Sequence, residues 1–192
     1  HVLHAYGKDN VKAMVTRPLE GLRVAPYYGC QVVRPDNGLD DTEQPMMMDE
    51  ILRWLGATVV DFPLKSHCCG GHLTMIGEDQ SNELIRRLLH TADEYHTDII
   101  ATVCPMCQLN LDAYQGRVNS AFNTRYNLPA IYLTQLIGVA LGIPAADLGF
   151  GKEIVLAGPV IEKKLAEGPP DAGSMPKRPK KDPNALPMPG AK

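Results

Sequence analysis

The sequence predicts an α/β fold in which βα units build a mostly parallel sheet. Three observations carry this expectation. Strand-type and helix-type segments alternate, the strand-type segments are apolar runs, and the helix-type segments are amphipathic. Apolar runs without strict alternation belong to strands covered on both faces. At 192 residues, 44% hydrophobic and a net charge of −3, the chain suits one domain with extensions, and its charge gives no reason to expect nucleic acid.

Leu22 to Tyr28 reads as the first strand, with Pro26 placing it near a sheet edge. A polar loop follows, from Arg34 to Asp41. Met46, Met47, Ile51, Leu52, Trp54 and Leu55 then trace a helix ended by Gly56. The second strand, Thr58 to Phe62, stops at Pro63. Glu83 to His96 has the spacing of an amphipathic helix, with Leu84, Ile85, Leu88, Leu89 and Ala92 inward. Asp98 to Val103 is a β-branched strand, Met106 to Phe122 a helix, Ala130 to Leu133 a strand, and Thr134 to Leu141 a short helix stopped by Gly142 and Pro144. The plan is Rossmann-like.

Residues 1–20 read as a lead-in, the remnant of a preceding segment, because the chain opens on His1 and not on Met; residues 21–157 form the domain. Residues 158–192 differ in composition: seven Lys/Arg stand against four Asp/Glu, and eight of the sixteen prolines fall there. Such a stretch buries little apolar surface alone, so an extended tail held by a partner is expected. The longest apolar stretch, Ile131 to Ala146, contains Thr134, Gln135, Gly138, Gly142 and Pro144 and falls short of the roughly 18–20 apolar residues a membrane span needs.

The five cysteines are the informative residues. Cys30 follows the first strand, Cys68 and Cys69 follow the second, Cys104 follows Val103 directly, and Cys107 lies one helical turn on. Thirty-seven residues separate Cys30 from Cys68, and 34 separate Cys69 from Cys104. In an open parallel sheet the carboxyl ends of the strands share one edge, where ligands collect. Three cysteine groups distant in sequence are therefore predicted to meet. An odd set with an adjacent pair argues against a secreted disulfide framework and for a reducing, cytoplasmic setting. A redox CxxC alone would leave the other three cysteines without a role.

Gly29 and the Gly70-Gly71 pair flank these thiols and permit close backbone approach to a bulky inorganic ligand. Pro105 suits the first turn of a helix whose positive end favours thiolates. Zinc, the alternative metal, takes four ligands and leaves the fifth cysteine unexplained. Adjacent ligands such as Cys68 and Cys69 fit a polynuclear iron–sulfur centre.

The pattern Cys30, Cys68-Cys69-Gly70, Cys104-Pro105-Met106-Cys107 resembles the cysteine-rich CCG domain found in the B subunit of heterodisulfide reductase and in relatives serving lactate, glycolate, glycerol-3-phosphate and fumarate enzymes. Tyr27-Tyr28-Gly29-Cys30 with Arg34-Pro35, Gln108 to Asp112, and Tyr132 to Leu136 are similar to the heterodisulfide reductase family in particular, and to the C-terminal of its two CCG copies. The resemblance implies a non-cubane 4Fe–4S cluster held by Cys30, Cys68, Cys69, Cys104 and Cys107. It implies reduction, or formation, of a disulfide such as coenzyme M–coenzyme B, or chemistry on carrier-bound sulfur. It also implies two partners: a protein with cubane iron–sulfur clusters, like the C subunit of that reductase, which is in turn fed by a flavoprotein like its A subunit. The first CCG copy then sits on a preceding segment or another chain, or the protein lacks it. The alternative functions are an electron-transfer iron–sulfur module of a dehydrogenase of the lactate, glycolate or fumarate type, or a structural zinc domain.

Four other side chains are weaker catalytic candidates. His67 and His72 flank the cysteine pair as possible proton donors or anion ligands, and Lys65 and Arg34 as attractors of carboxylate, sulfonate or phosphate. Gln108, Thr134 and Gln135 lie after strand ends, where bonding to sulfide and helix capping are both open. Met46-Met47-Met48 reads as core or interface filler.

Overall fold

A computed structural model describes residues 2–168, apart from 35, 37 and 39. Helices α1 (Val2–Tyr6) and α2 (Lys8–Met14) lead into strand β1 (Arg23–Tyr27). Helix α3 (Met47–Trp54), strand β2 (Thr58–Val59), helix α4 (Glu78–Glu94) and strand β3 (Ile99–Thr102) follow. Helices α5 (Pro105–Ala113) and α6 (Gln115–Phe122), strand β4 (Ala130–Tyr132), helix α7 (Leu133–Ala140) and helix α8 (Gly158–Glu167) complete the order. The four strands pair in parallel in the order β2-β1-β3-β4. This is the predicted α/β class.

Strands β1, β3 and β4 contribute alternate side chains to two cores. Val24, Ile99, Ala101 and Ile131 pack with Leu52, Leu55, Leu136 and Ile161 on one face. Ala25, Tyr27, Ile100 and Ala130 pack with Ile85, Leu88, Leu89, Leu111 and Val118 on the other. Helices therefore cover both faces, which is why the strands read as continuous apolar runs.

The strand order reverses between β1 and β3, because the chain crosses from β2 back over β1. Crevices at such a switch point, outside the carboxyl ends of the strands, are where open α/β sheets bind ligands.

Two strand expectations change. Pro26 lies inside a central strand, not near an edge, and β2 has only two residues where five were expected. One cause explains both. On the β2 side of β1, the Leu22 carbonyl accepts from Thr58 N–H at 2.9 Å and the Val24 carbonyl from Val60 N–H at 2.8 Å. The next group on that side would be the N–H of residue 26, which proline lacks. Pairing stops, the chain loops away after Val60, and it returns where Tyr28 N–H and Gly29 N–H donate to the Lys65 carbonyl at 2.8 and 3.1 Å.

Three helix expectations change as well. Helix α4 starts at Glu78, five residues before the expected Glu83, with Ser81 and Asn82 buried in its first turns. The long helix expected over Met106–Phe122 is broken at Tyr114. There the Gln115 amide donates to the Leu111 and Leu128 carbonyls, both at 2.7 Å, and accepts from Leu128 N–H at 3.0 Å. A side chain inserted into the i→i−4 ladder breaks it. Finally, residues 158–167, expected as the start of an extended tail, form α8, with Pro159 in its first turn and Ile161 in the core. The rest of that tail, 169–192, lies outside the described residues.

Asp112, buried near the end of α5, accepts from Ile154 N–H at 2.9 Å and Val155 N–H at 2.8 Å, stapling the segment before α8 to α5. Asp112→Ala is expected to cost about 2 kcal/mol, since buried donors lose a charged acceptor. For a domain this size that is a fall in melting temperature of about 4–8 °C. A thermal melt that moved by less than a degree would refute the staple. Among the described residues no helix is long and apolar enough to cross a membrane.

Candidate metal centre

Each cysteine group sits at a strand end for a local reason. Gly29, at φ +68°, turns the chain out of β1 and presents Cys30. Gly70, at φ +77°, caps a 3-10 turn over Gly71–Leu73 and turns the chain directly after Cys68 and Cys69. Cys104 is the N-cap of α5, Pro105 falls in its first turn as expected, and Cys107 follows one turn later. Cys104 N–H leans on Thr102 Oγ1 at 3.4 Å.

The thiols come together in pairs along one edge of the sheet. Cys69 and Cys107 are buried with their sulfurs 3.6 Å apart. The two thiols pull each other's acidity in opposite directions. The Cys69 pKa is held down to about 6, chiefly by the Cys107 thiol and against burial, with further help from Gly71 N–H and the Asn110 amide. Cys107 is pushed up by Cys69 first, then by burial and by the neighbouring Cys104. Cys68 accepts from Gly70 N–H at 3.3 Å, yet burial, joined by the charge of Cys30, raises its pKa. Thus Cys30 touches Cys68, Cys69 touches Cys107 and Cys107 touches Cys104. Among the described residues, no three His, Cys, Asp or Glu side chains close on one point as a single ion needs.

Tyr27 lies at the middle of this chain of sulfurs. Burial first, then the charges of Cys69, Cys107, Cys68 and Cys30, push its pKa well up, so the hydroxyl keeps its proton. It donates that proton to the His67 carbonyl at 2.7 Å. Asn110 donates to the Cys69 carbonyl at 2.7 Å, and Ser81 to the Gly70 carbonyl at 3.3 Å. Sequence reasoning missed these three. A polar residue at i+3 from Cys107 and a tyrosine two residues before Gly29 were visible signals, but their partners are tertiary.

The weaker candidates divide. His72 Nδ1 stands 3.9 Å from Cys68 Sγ, at the thiols. His67 holds the Tyr27 hydroxyl through its backbone, its Nδ1 is buried without a hydrogen-bond partner, and burial lowers its pKa. Lys65 is not a surface attractor of anions: it is buried, its ammonium bonded to the Pro45 carbonyl and within 3.5 Å of Asp49. Arg34 is exposed and pairs with Glu43 at 2.8 Å. Gln108 donates to the Ala130 carbonyl at 3.1 Å, and Gln135 caps α7 by accepting Tyr132 N–H at 3.0 Å, so capping and packing account for both. Thr134 is exposed.

Five soft thiols with no carboxylate among them are the donor set of an iron–sulfur group. The backbone fits as well: a Cβ on Gly29 would stand 2.9 Å from Cys107 Sγ, so only glycine leaves the sulfurs their room.

Residues 24–112 match the cysteine-rich CCG domain. Over most of its length it is related to the B subunit of heterodisulfide reductase. It is 36% identical over 154 residues to the B subunit of the ferredoxin:CoB-CoM heterodisulfide reductase of Methanosarcina mazei, covering 78% of this chain and 51% of that one. It is 34% identical over 153 residues to the 8-methylmenaquinol:fumarate reductase membrane anchor subunit of Wolinella succinogenes, covering 79% and 54%. A protein of Archaeoglobus profundus, itself like the heterodisulfide reductase B subunit, is 27% identical over 142 residues, 71% of this chain and 48% of that one. The chain thus spans about half the length of these relatives. A crystal structure of a hypothetical protein from Helicobacter pylori shares the fold, with a TM-score of 0.59 at 12% identity over 78% of this chain and 28% of that one.

Proposed function

We propose that this chain is the iron–sulfur subunit of a heterodisulfide reductase-like complex and that it reduces, or forms, a disulfide. The observation that carries the reading is the gathering of Cys30, Cys68, Cys69 and Cys107 about Tyr27, with Cys104 beside Cys107, at the switch point of the sheet. These five are the ligands we assign to a 4Fe–4S cluster of non-cubane arrangement. An open chain of sulfur pairs suits a polynuclear core better than one tetrahedral ion. When bound, such a cluster supplies iron that accepts a sulfur ligand and takes up electrons singly.

The residues do the rest. The Gly70 and Gly71 N–H groups stabilise thiolate charge, and the N-terminus of α5 does the same for Cys104. The buried Tyr27 ring backs the thiols on the inner side, while Cys30, Cys68 and Cys104 are partly open to solvent. A substrate sulfur therefore approaches from the Cys30 and Cys68 side, past His72. Electrons would come from a partner carrying cubane iron–sulfur clusters, itself fed by a flavoprotein, and the setting would be cytoplasmic.

A second reading, an electron relay that touches no substrate, draws on the similarity to the Wolinella fumarate reductase protein. Paramagnetic resonance on anaerobically purified, oxidised protein separates the two. The catalytic reading expects iron and acid-labile sulfide in about equal amounts and a new signal when thiol is added. A one-electron titration indifferent to every thiol would favour the relay, and one zinc without iron or sulfide would remove both.

A further inference from the structure

We infer that Asn110 is a positioning residue for this centre: from one helical turn beyond Cys107 it grips the backbone of Cys69 and so sets how the two buried thiols stand to each other. The inference deepens the iron–sulfur reading above and rests on it.

Cys107 and Asn110 lie three residues apart on α5 and so on one face of it. Gln108, on another face, is engaged with the Ala130 carbonyl of β4. Asn110 is 2% exposed, and its Nδ2 donates to the Cys69 carbonyl at 2.7 Å. The orientation of the amide is fixed from the other side, because Thr74 Oγ1 donates to Asn110 Oδ1 at 2.8 Å. Thr74 and Ser81 in turn reach the Gly70 carbonyl at 3.4 and 3.3 Å.

The CCG turn is therefore held carbonyl by carbonyl. Tyr27 holds His67, Asn110 holds Cys69, and Ser81 holds Gly70. Of these clamps only Asn110 is carried on the helix that also bears Cys104 and Cys107. Among the described residues it joins the two cysteine motifs by a side-chain hydrogen bond, beside the 3.6 Å contact of the sulfurs and the packing of Gly71 against Met106. Partners one bond removed from metal ligands commonly govern how well the metal is held.

The test uses the full chain purified without oxygen. Asn110→Ala and Thr74→Val are compared with wild type for the rate of iron release to a chelator and for the paramagnetic spectrum of the oxidised, thiol-treated protein. Asn110→Ala should release iron about tenfold faster, the lower range for lost outer partners of a metal site, and change the spectrum. Thr74→Val should move both in the same direction by less, and Thr74→Ser should restore wild-type behaviour. Asp112→Ala, which loosens the far end of the same helix, should lower the melting temperature and leave the spectrum alone. Wild type without iron and sulfide would remove the functional reading and this one with it. A loaded wild type that neither Asn110→Ala nor Thr74→Val changes in rate or spectrum would overturn this inference alone. Should Asn110→Ala not fold, Thr74→Val decides.

Discussion

Cys107→Ala purified without oxygen is expected to carry less than about a tenth of the iron and acid-labile sulfide of wild type while keeping its fold. The two halves of that expectation have separate causes. Cys107 is 5% exposed and stands between Cys69 and Cys104, so its loss opens the chain of thiols in the middle. Alanine is small and favours helix, so α5 keeps its backbone and the core loses one sulfur atom. Circular dichroism matching wild type beside near-zero iron would meet the expectation. Iron at wild-type level would sink the assignment of Cys107 as a ligand, and with it the case for a five-thiol site.

The second large effect is expected at Gly29, where no thiol is removed. Gly29→Ala places a methyl group 2.9 Å from Cys107 Sγ and 3.9 Å from the Tyr27 ring, at a φ of +68°. The left-handed backbone alone costs a residue with a Cβ about 1–2 kcal/mol. The methyl then has to push Cys107 aside, because the Tyr27 ring behind it is fully buried. Gly149→Ala provides the comparison: φ there is +74° and a Cβ would meet nothing within 4 Å. Both variants should lose similar stability to the backbone term, and only Gly29→Ala should also lose its cluster. Chemical denaturation with iron analysis on both proteins tests this. Equal iron in the two variants would mean that the space beside Cys107 does not matter.

Much of this architecture was legible in the sequence because local rules and tertiary context agree there. Gly56, at φ +91°, ends α3 where a glycine after an apolar run predicts it, and the β-branched run before Cys104 is a strand. The thiols were legible for a topological reason, since parallel strands force their carboxyl ends to one edge. What escaped was set by partners far along the chain. The first turn of α4, Glu78 to Asn82, has no apolar residue to show a period, and its Ser81 and Asn82 are buried through bonds to the Gly70 carbonyl and Arg117. Gln115 is a good helix former by propensity, yet its amide breaks a helix because Leu128 offers it a better pair of bonds. Lys65 read as an attractor of anionic ligands because nothing near it in sequence announces Asp49. In α8 the composition of the whole segment masked the local period of Val160, Ile161 and Leu165.

Position 26 illustrates how little freedom the scaffold leaves behind its cysteine-bearing rim. Every other encoded amino acid would bring a hydrogen that points from the buried middle of β1 toward a neighbour that has already departed. Such a group, sealed away from water, costs about 1–3 kcal/mol when nothing answers it. The pyrrolidine ring is silent at the one site where silence is required, so the genetic code holds no neutral substitute for it.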